Sequence, residues 1–434
     1  MADTIHSYVM LCRELSFSEE KTRDPQSSSE EAKFLSSLAL ILNGNQQYTP
    51  MYVHEAEKTI LVARNEKIRS TDKRYFDRFF RQIRTYAGTC FDRDKATTTA
   101  GITAQLRSLI FEYNSEKIVN RFEASTQSQS EAVDRQSFYT QYLEGIDNIE
   151  QNHVPNVSLM KLTDQQLLSA TGIAVLLYES RLFQYMLNNF PETASRGVYY
   201  FEKISAHYRS TNLLLKCLIS QKDRYLQIYK VVSWKIVEPI KEKRSLIITP
   251  RKAFENIWKD MFESTSSPST LNLSEAIDRQ SFYTQHLEGI DNIEQNHVPN
   301  VCLHAEILLI DFLLKNSINE TINTNDVEIG ISKMSCLPCS YYIEELNKKY
   351  SRFFCLLGST HGKTYPKWTY RNNEDSSILN VINEKLIDKV KQSIKRRCLQ
   401  TNRAGPVKSG DSDIMHTSLG EDEFDSIDFD IIRY

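Results

Sequence analysis

Two short motifs supply the residue types of a catalytic zinc site. His304 and Glu306 open the apolar run HAEILLIDFLL, and Cys336 and Cys339 open the segment CLPCSYYIEELNKKY. One imidazole and two thiolates are zinc ligands, and three protein ligands leave a fourth coordination position for water, which is typical of catalytic zinc. Glu306 need not bind the metal and can move protons instead. The four residues therefore predict a zinc centre that activates water.

The elements around both motifs agree with this interpretation. The spacing of apolar residues predicts a helix over 304–318, which the polar turn NETINTND and a buried strand, VEIGIS, follow. That strand leads to Cys336 at the start of the next helix. Both ligand sets are then at helix N-termini, where the helix dipole favours thiolate over thiol. A water acidified by zinc would be the nucleophile, and Glu306 would shuttle its proton to a leaving amine.

Other interpretations of the motifs stay open at this point. The same residues could form a structural or degenerate zinc site, or the CxxC could be a redox pair. The redox interpretation leaves His304 and Glu306 without a role.

A family resemblance narrows the choice. HAE, SKMSCLPC and GSTHGKTYPKW together resemble the cytidine deaminase-like superfamily and, more narrowly, the OTT-like nucleic acid/nucleotide deaminases of fungi and some intracellular bacteria. The resemblance implies zinc ligands at His304, Cys336 and Cys339, with Glu306 as proton shuttle. It covers about residues 296–370.

The family pattern is not matched at every position. Ser335 stands where the family usually has a proline before the first cysteine, and Pro338 lies inside the CxxC. We include Ser335, beside the first thiolate, among the expected substrate-binding residues.

The resemblance also implies a fold: an α/β, three-layer cytidine deaminase-like α/β/α sandwich, here with a large, mainly helical N-terminal or inserted region. The family fold begins with a β-hairpin before the His-bearing helix, and the best candidates are MYVHE and KTILVARN, far upstream. We expect a discontinuous domain whose sheet starts with this hairpin and resumes at 298. Asn65 would then match the Asn that superfamily members use to hold the substrate, although an ordinary Asn at a strand end is an equal alternative.

Three further residues follow the strand candidate RFFCLLGS. This strand should end near the zinc, so that an aromatic ring among His361, Tyr365 and Trp368 could stack on a flipped base. Structural packing of these rings is the alternative.

The middle of the chain contains a duplicated segment. Residues 130–157 reappear at 274–301 with two changes, and only the second copy runs into the His-Ala-Glu motif. Around the duplication, residues from about 67 to 265 read as nearly all helix. We interpret the duplication as segmental, because solenoid repeats tile a whole chain.

The sequence predicts five regions. These are N-terminal helices (1–48), the candidate hairpin (49–66), a helical insertion or cap (67–297), the zinc domain with a C-terminal helix (298–399) and an acidic disordered tail (400–434). The tail could also carry a short motif for a protein partner.

Composition limits the partners and the compartment. The 434 residues are 40% hydrophobic and 25% charged, and the net charge of -3 gives no global field that would attract nucleic acid or membrane. No apolar run approaches the roughly 18 residues of a membrane span, and no signal peptide is evident. The 8 scattered cysteines favour a reducing compartment. We expect a cytoplasmic protein, with export as an effector left open.

Two functions are compatible with these observations. The first is zinc-dependent hydrolytic deamination of a nucleobase, at C4 of cytosine or C6 of adenine, in a nucleotide or single-stranded nucleic acid. The second is a helical interaction or scaffold protein that retains an inactive zinc module. The intact motif favours the enzyme, because a relic would not need the non-ligand Glu306.

Overall fold

The structure is a computed structural model. It describes residues 4–15, 30–44, 48–89, 96–127, 205–218, 228–244, 246–262, 273–295, 300–318, 326–356 and 360–401. The first copy of the duplicated segment and residues 402–434 of the predicted tail lie outside these ranges.

Helices and strands alternate through the described ranges. The helices are α1 (Ile5–Glu14), α2 (Glu30–Ile41), α3 (Ser70–Thr89), α4 (Ala96–Gln127), α5 (Pro250–Phe262), α6 (Leu273–Gln295), α7 (Ala305–Lys315), α8 (Leu337–Tyr350) and α9 (Ser376–Thr401), and residues 205–218 are also helical. The strands are β1 (Met51–His54), β2 (Thr59–Ala63), β3 (Ser233–Val237), β4 (Lys241–Lys243), β5 (Asn300–Leu303), β6 (Asp326–Ile329), β7 (Phe353–Leu356) and β8 (Trp368–Thr369). Among the described helices, none combines the length and apolar character needed to cross a bilayer.

The predicted hairpin forms and adjoins the strand that precedes the CxxC. β1 and β2 pair antiparallel, with Met51 opposite Val62, and β6 and β7 pair parallel. Two backbone hydrogen bonds join Met51 to Gly330, with N···O distances of 2.8 and 2.9 Å. The hairpin thus lies at the edge of β6, although almost 280 residues separate them in the chain.

Gly330 is needed at this junction because another chain segment approaches it closely. A Cβ atom at position 330 would lie 2.3 Å from the backbone carbon of Leu35, a distance that side-chain carbons do not tolerate. The missing side chain lets α2 pack against β1 and β6.

The prediction that residues 67–265 are nearly all helix is wrong for 233–243. These residues form β3, which runs parallel to β2, and β4, which pairs antiparallel with β5. In β3, Trp234 and Ile236 alternate with the exposed Ser233 and Lys235, which is the period of a strand rather than of a helix. β5 also pairs in parallel with β8, so that β4, β5 and β8 form a second small sheet.

Alternate residues of the hairpin face two different cores. Tyr52 and Leu61 join a core built with α1, α7, α8 and α9, whereas Val53 and Ile60 join a core built with α2, α3 and α4. The second core includes five aromatic residues of α3: Tyr75, Phe76, Phe79, Phe80 and Tyr86. Helices therefore cover both faces of the hairpin, and the described chain is mixed α/β.

Candidate active site

Two helix N-termini bring the predicted zinc ligands together. His304 is the N-cap of α7 and Cys336 is the N-cap of α8, and both have extended backbone angles. Their carbonyl groups accept the first helical hydrogen bonds, from Leu308 N–H at 2.8 Å and from Ser340 N–H at 2.9 Å. Glu306 and Cys339 follow in the first turns of the two helices. Side chains from these two turns converge on one buried cluster.

The distances within the cluster suit a tetrahedral zinc ion. His304 Nδ1 lies 3.4 Å from Cys336 Sγ and 3.5 Å from Cys339 Sγ. A nitrogen and a sulfur that are both bound to tetrahedral zinc are about 3.5 Å apart, so His304 Nδ1 already lies at coordination spacing from each thiol. His304, Glu306, Cys336 and Cys339 each contribute one possible ligand atom, and these four atoms all lie within 4.8 Å of one another.

The Glu306 carboxyl group is poised to exchange protons near neutral pH. The side chain is buried, with 2% exposure. Burial raises the pKa of Glu306 to about 7 and negative charge on Cys336 adds to the rise, while positive charge on His304 opposes it. A carboxyl group with this pKa is present in both protonation states at neutral pH, as a proton shuttle requires.

The two thiols ionise differently. Burial alone would raise the pKa of Cys336, but a hydrogen bond with Cys339 and the charge of His304 lower it well below the usual thiol range. Burial and the neighbouring Cys336 thiolate raise the pKa of Cys339. The site therefore already favours one thiolate, and a bound cation is what would favour the second.

Trp368 donates a hydrogen bond to the thiol of Cys339. Its indole N–H donates to Cys339 Sγ at 3.2 Å, and the ring is fully buried. Trp368 does not line the cavity that opens onto the cluster of His304, Glu306 and Cys336. Its contact is with the thiol, so we interpret it as a positioning residue for Cys339 rather than as a ring that stacks on a substrate.

Asn65 reaches the site from the end of the hairpin. Its Oδ1 accepts a hydrogen bond from the backbone N–H of Ala305 at 2.7 Å. This N–H is one of the first amides of α7, which have no acceptor within the helix. The hairpin and the ligand-bearing helix are thereby joined directly, 240 residues apart in sequence.

The loop after β7 is fastened beside Cys336. The Ser335 carbonyl accepts hydrogen bonds from Thr360 Oγ1 at 2.9 Å and from His361 N–H at 3.2 Å. The Tyr365 ring lies 5.9 Å from the His304 ring and 5.8 Å from the His361 ring. Burial lowers the pKa of His361, so its imidazole is neutral at neutral pH.

A cavity of about 1170 Å³ opens onto the cluster. Its wall includes the predicted residues Asn65, His304, Glu306, Cys336, His361 and Tyr365. It also includes residues that the sequence does not single out: Tyr48, Cys302, Asn292 and the four lysines Lys241, Lys243, Lys333 and Lys367. Lys241, Lys243 and Lys367 reach the cavity through the pairing of β4, β5 and β8, which no local motif marks, whereas Lys333 follows β6.

Comparisons with known proteins agree with the geometry. Residues 303–372 match the family model described as OTT_1508-like deaminase. No curated protein and no solved structure matches the chain. The matched segment begins one residue before His304 and includes Glu306, Cys336, Cys339 and Trp368. Residues 303–372 are therefore assigned to the OTT_1508-like deaminase family.

Proposed function

We propose that this protein is a zinc-dependent hydrolytic deaminase that acts on a nucleobase. The observation that carries the proposal is the position of Glu306, a buried carboxyl group with a pKa of about 7, within 4.8 Å of one imidazole and two thiols. Three protein ligands leave the fourth coordination position to water, as in catalytic zinc sites, and Glu306 then lies beside that position as an ionisable group that is not needed as a ligand.

His304, Cys336 and Cys339 are the residues that would hold the zinc ion. Their donor set and their spacing of 3.4 and 3.5 Å around His304 Nδ1 fit the metal. Zinc supplies a bound water with a pKa lowered toward neutral. Trp368 would stabilise the Cys339 thiolate through its indole N–H, as partners outside the coordination shell do in other zinc sites.

Glu306 would carry the protons of the reaction. Its carboxylate takes a proton from the attacking water and gives it to a ring nitrogen of the base, while a carbon–oxygen bond forms at the carbon that bears the amino group. A second proton reaches the amino group through the same carboxyl group, the carbon–nitrogen bond breaks, and ammonia leaves. The raised pKa lets one side chain accept and donate in turn.

The cavity rim supports a substrate that carries phosphate, either a nucleotide or a single-stranded nucleic acid. Lys241, Lys243 and Lys367 line the cavity, and within the described ranges none of them forms an ion pair with a carboxylate. Glu242, between the first two, is instead paired with Arg244 at 3.0 Å. Glu14 and Glu66 also line the cavity, but the three ammonium groups are carried by paired strands or lie directly beside them, and together they attract anions over a short range.

We also propose that the β1–β2 hairpin is part of the deaminase domain. The contact of Met51 with Gly330 and that of Asn65 with Ala305 support a discontinuous deaminase domain that starts at 49–66 and resumes near 298. A three-layer sandwich of the cytidine deaminase type is the arrangement we propose for this domain. Asn65, His361 and Tyr365, which line the cavity, would then surround the substrate, whereas Ser335 is not in the cavity wall.

The test uses the full chain loaded with zinc. We expect about one zinc per chain and ammonia release from at least one member of a panel of cytosine and adenine nucleosides, nucleotides and single strands. Zinc-loaded protein that releases ammonia from none of them would contradict the proposal and would favour an inactive interaction module.

A further inference from the structure

The chain that directly follows Tyr48 is anchored by hydrogen bonds beside the candidate active site. Tyr48 directly precedes the chain segment that enters β1. The next residue, Thr49, donates its N–H to Ser332 Oγ at 2.8 Å and its hydroxyl to Asn43 Oδ1 at 3.0 Å. Met51 is fixed by its backbone pairing with Gly330. The backbone on the C-terminal side of Tyr48 is thus anchored on two sides.

The phenol hydroxyl of Tyr48 is buried without a partner. The side chain is 8% exposed and lines the cavity together with His304, Glu306 and Cys336. No hydrogen-bond acceptor or donor for this hydroxyl exists among the described residues. Ser335 is close enough to influence the phenol but not in hydrogen-bonding geometry. Buried tyrosine hydroxyls normally have a partner, so this one still has a hydrogen bond to give to a group that enters the cavity.

The protonation state of Tyr48 determines which kind of hydrogen-bonding group can be its partner. Burial, reinforced by negative charge on Glu306, raises the pKa of Tyr48 well above its usual value. The group is therefore a neutral phenol that can donate one hydrogen bond. Its partner must therefore carry a hydrogen-bond acceptor.

We propose that the Tyr48 hydroxyl donates a hydrogen bond to an acceptor atom of the substrate's nucleobase, a carbonyl oxygen or an unprotonated ring nitrogen, and thereby contributes to selecting the base. This inference rests on the proposed function, since it takes the cavity as the base-binding site. Bases present such acceptors on their edges in fixed positions. A hydroxyl that stays unpaired unless the right acceptor arrives discriminates against bases that lack it.

The decisive variant is Tyr48→Phe, which removes only the hydroxyl oxygen. Binding of cytidine 5′-monophosphate, adenosine 5′-monophosphate and a mixed-sequence single-stranded DNA to the zinc-loaded full chain is measured by calorimetry, independently of turnover. We expect the ligand that the wild type binds best to bind about tenfold more weakly, the loss of one neutral hydrogen bond. The melting temperature should be unchanged or higher, because no hydrogen bond within the protein is lost.

Two further variants separate recognition from structure. Tyr52→Phe removes the hydroxyl of a buried tyrosine that is absent from the cavity wall, and it should leave all three affinities unchanged. Ser335→Ala tests whether Tyr48 acts through its neighbour. If Tyr48→Phe and Ser335→Ala lower the melting temperature alike and leave the affinities at the wild-type value, the hydroxyl is structural and the inference is wrong.

The remaining outcomes are also distinct. Equal affinity of Tyr48→Phe and wild type, or no binding of any of the three ligands, overturns the inference. Binding that weakens in Tyr48→Phe without any ammonia release by the wild type supports the role of Tyr48 and overturns only the proposed reaction.

Discussion

The Oδ1 atom of Asn65 accepts a hydrogen bond of 2.7 Å from the backbone N–H of Ala305. Asn65 ends the N-terminal hairpin, and Ala305 is the residue between His304 and Glu306. A single hydrogen bond therefore couples the hairpin to the helix that carries a metal ligand and the proton shuttle. The first amides of a helix depend on such outside acceptors, because no carbonyl precedes them within the helix.

Replacing Asn65 by Ala should destabilise this junction. The Ala305 N–H would be left without its acceptor in a partly buried position, which costs about 1–3 kcal/mol in the free energy of unfolding. Chemical denaturation of the wild type and Asn65→Ala measures the difference. An unchanged free energy of unfolding would show that the hydrogen bond does not join the two parts.

The matched control is Asn65→Asp, which keeps an oxygen acceptor toward Ala305 and loses the amide donor. We expect its free energy of unfolding to stay near that of the wild type. If deaminase activity falls in Asn65→Asp while stability is retained, the amide N–H₂ contacts the substrate. Full activity in Asn65→Asp would contradict a substrate-binding role for the amide.

Of the cysteines near the cavity, Cys336 should be needed for zinc binding and Cys302 should not. Cys336→Ala removes a predicted ligand, so zinc content should fall from about one equivalent toward zero and the melting temperature should fall with it. Cys302→Ala changes a partly buried cysteine on β5 that also lines the cavity, and zinc content should be unchanged. Metal analysis of both purified variants measures this. Equal zinc loss in both would require a different ligand set.

Trp368→Phe should weaken zinc binding without removing a ligand. Phenylalanine keeps most of the buried ring but loses the N–H that donates to Cys339 Sγ at 3.2 Å. Loss of such a supporting hydrogen bond typically lowers metal affinity about 10- to 100-fold. Competition with a zinc chelator gives the affinity. Wild-type affinity in Trp368→Phe would mean that the indole only fills space.

Asp72 gives a prediction for acid stability away from the metal site. Burial alone would raise the pKa of Asp72, but a hydrogen bond from Tyr113, the charge of Arg64 and hydrogen bonds from Arg69 lower it below the usual value. A carboxyl group whose pKa is lower in the folded state stabilises the protein above its unfolded pKa of about 3.9 and loses that contribution as pH falls through the folded value.

Asp72→Asn should therefore have a lower free energy of unfolding than the wild type at pH 7. At strongly acidic pH the free energies of unfolding of the two proteins should become similar. Arg64, which lies 3.0 Å from the carboxylate and is 2% exposed, would keep its buried charge without a partner, at a cost of roughly 3–5 kcal/mol at neutral pH. Denaturation curves at several pH values test this. A difference from wild type that stays constant down to pH 2 would refute the assignment.

The sequence predicts the chemistry of the site better than the walls of its cavity. His304, Glu306, Cys336 and Cys339 have residue types and spacings that restrict them to few roles, and the helices that they open have strong apolar periodicity. The hairpin could also be found, because two short β-rich runs are separated by a few polar residues.

Other features depend on pairing between distant segments. The strand at 233–237 has a period-2 pattern that the surrounding helical signals obscure, and its partner, β2, lies about 170 residues earlier. Lys241 and Lys367 lie on the two sides of Cys302 because β4 and β8 both pair with β5. Tyr48 lines the same cavity as Glu306, and no local motif marks the nearby contact of Met51 with Gly330.

The most direct test of the account compares ammonia release by wild type and Glu306→Gln at equal zinc content, on the substrate that the wild type prefers. Glutamine keeps the size of the side chain and leaves His304, Cys336 and Cys339 in place. It cannot accept or return a proton. The account predicts that zinc stays bound while the rate falls by at least about 100-fold, the lower range for loss of general acid–base catalysis. A Glu306→Gln protein that releases ammonia at the wild-type rate would contradict it.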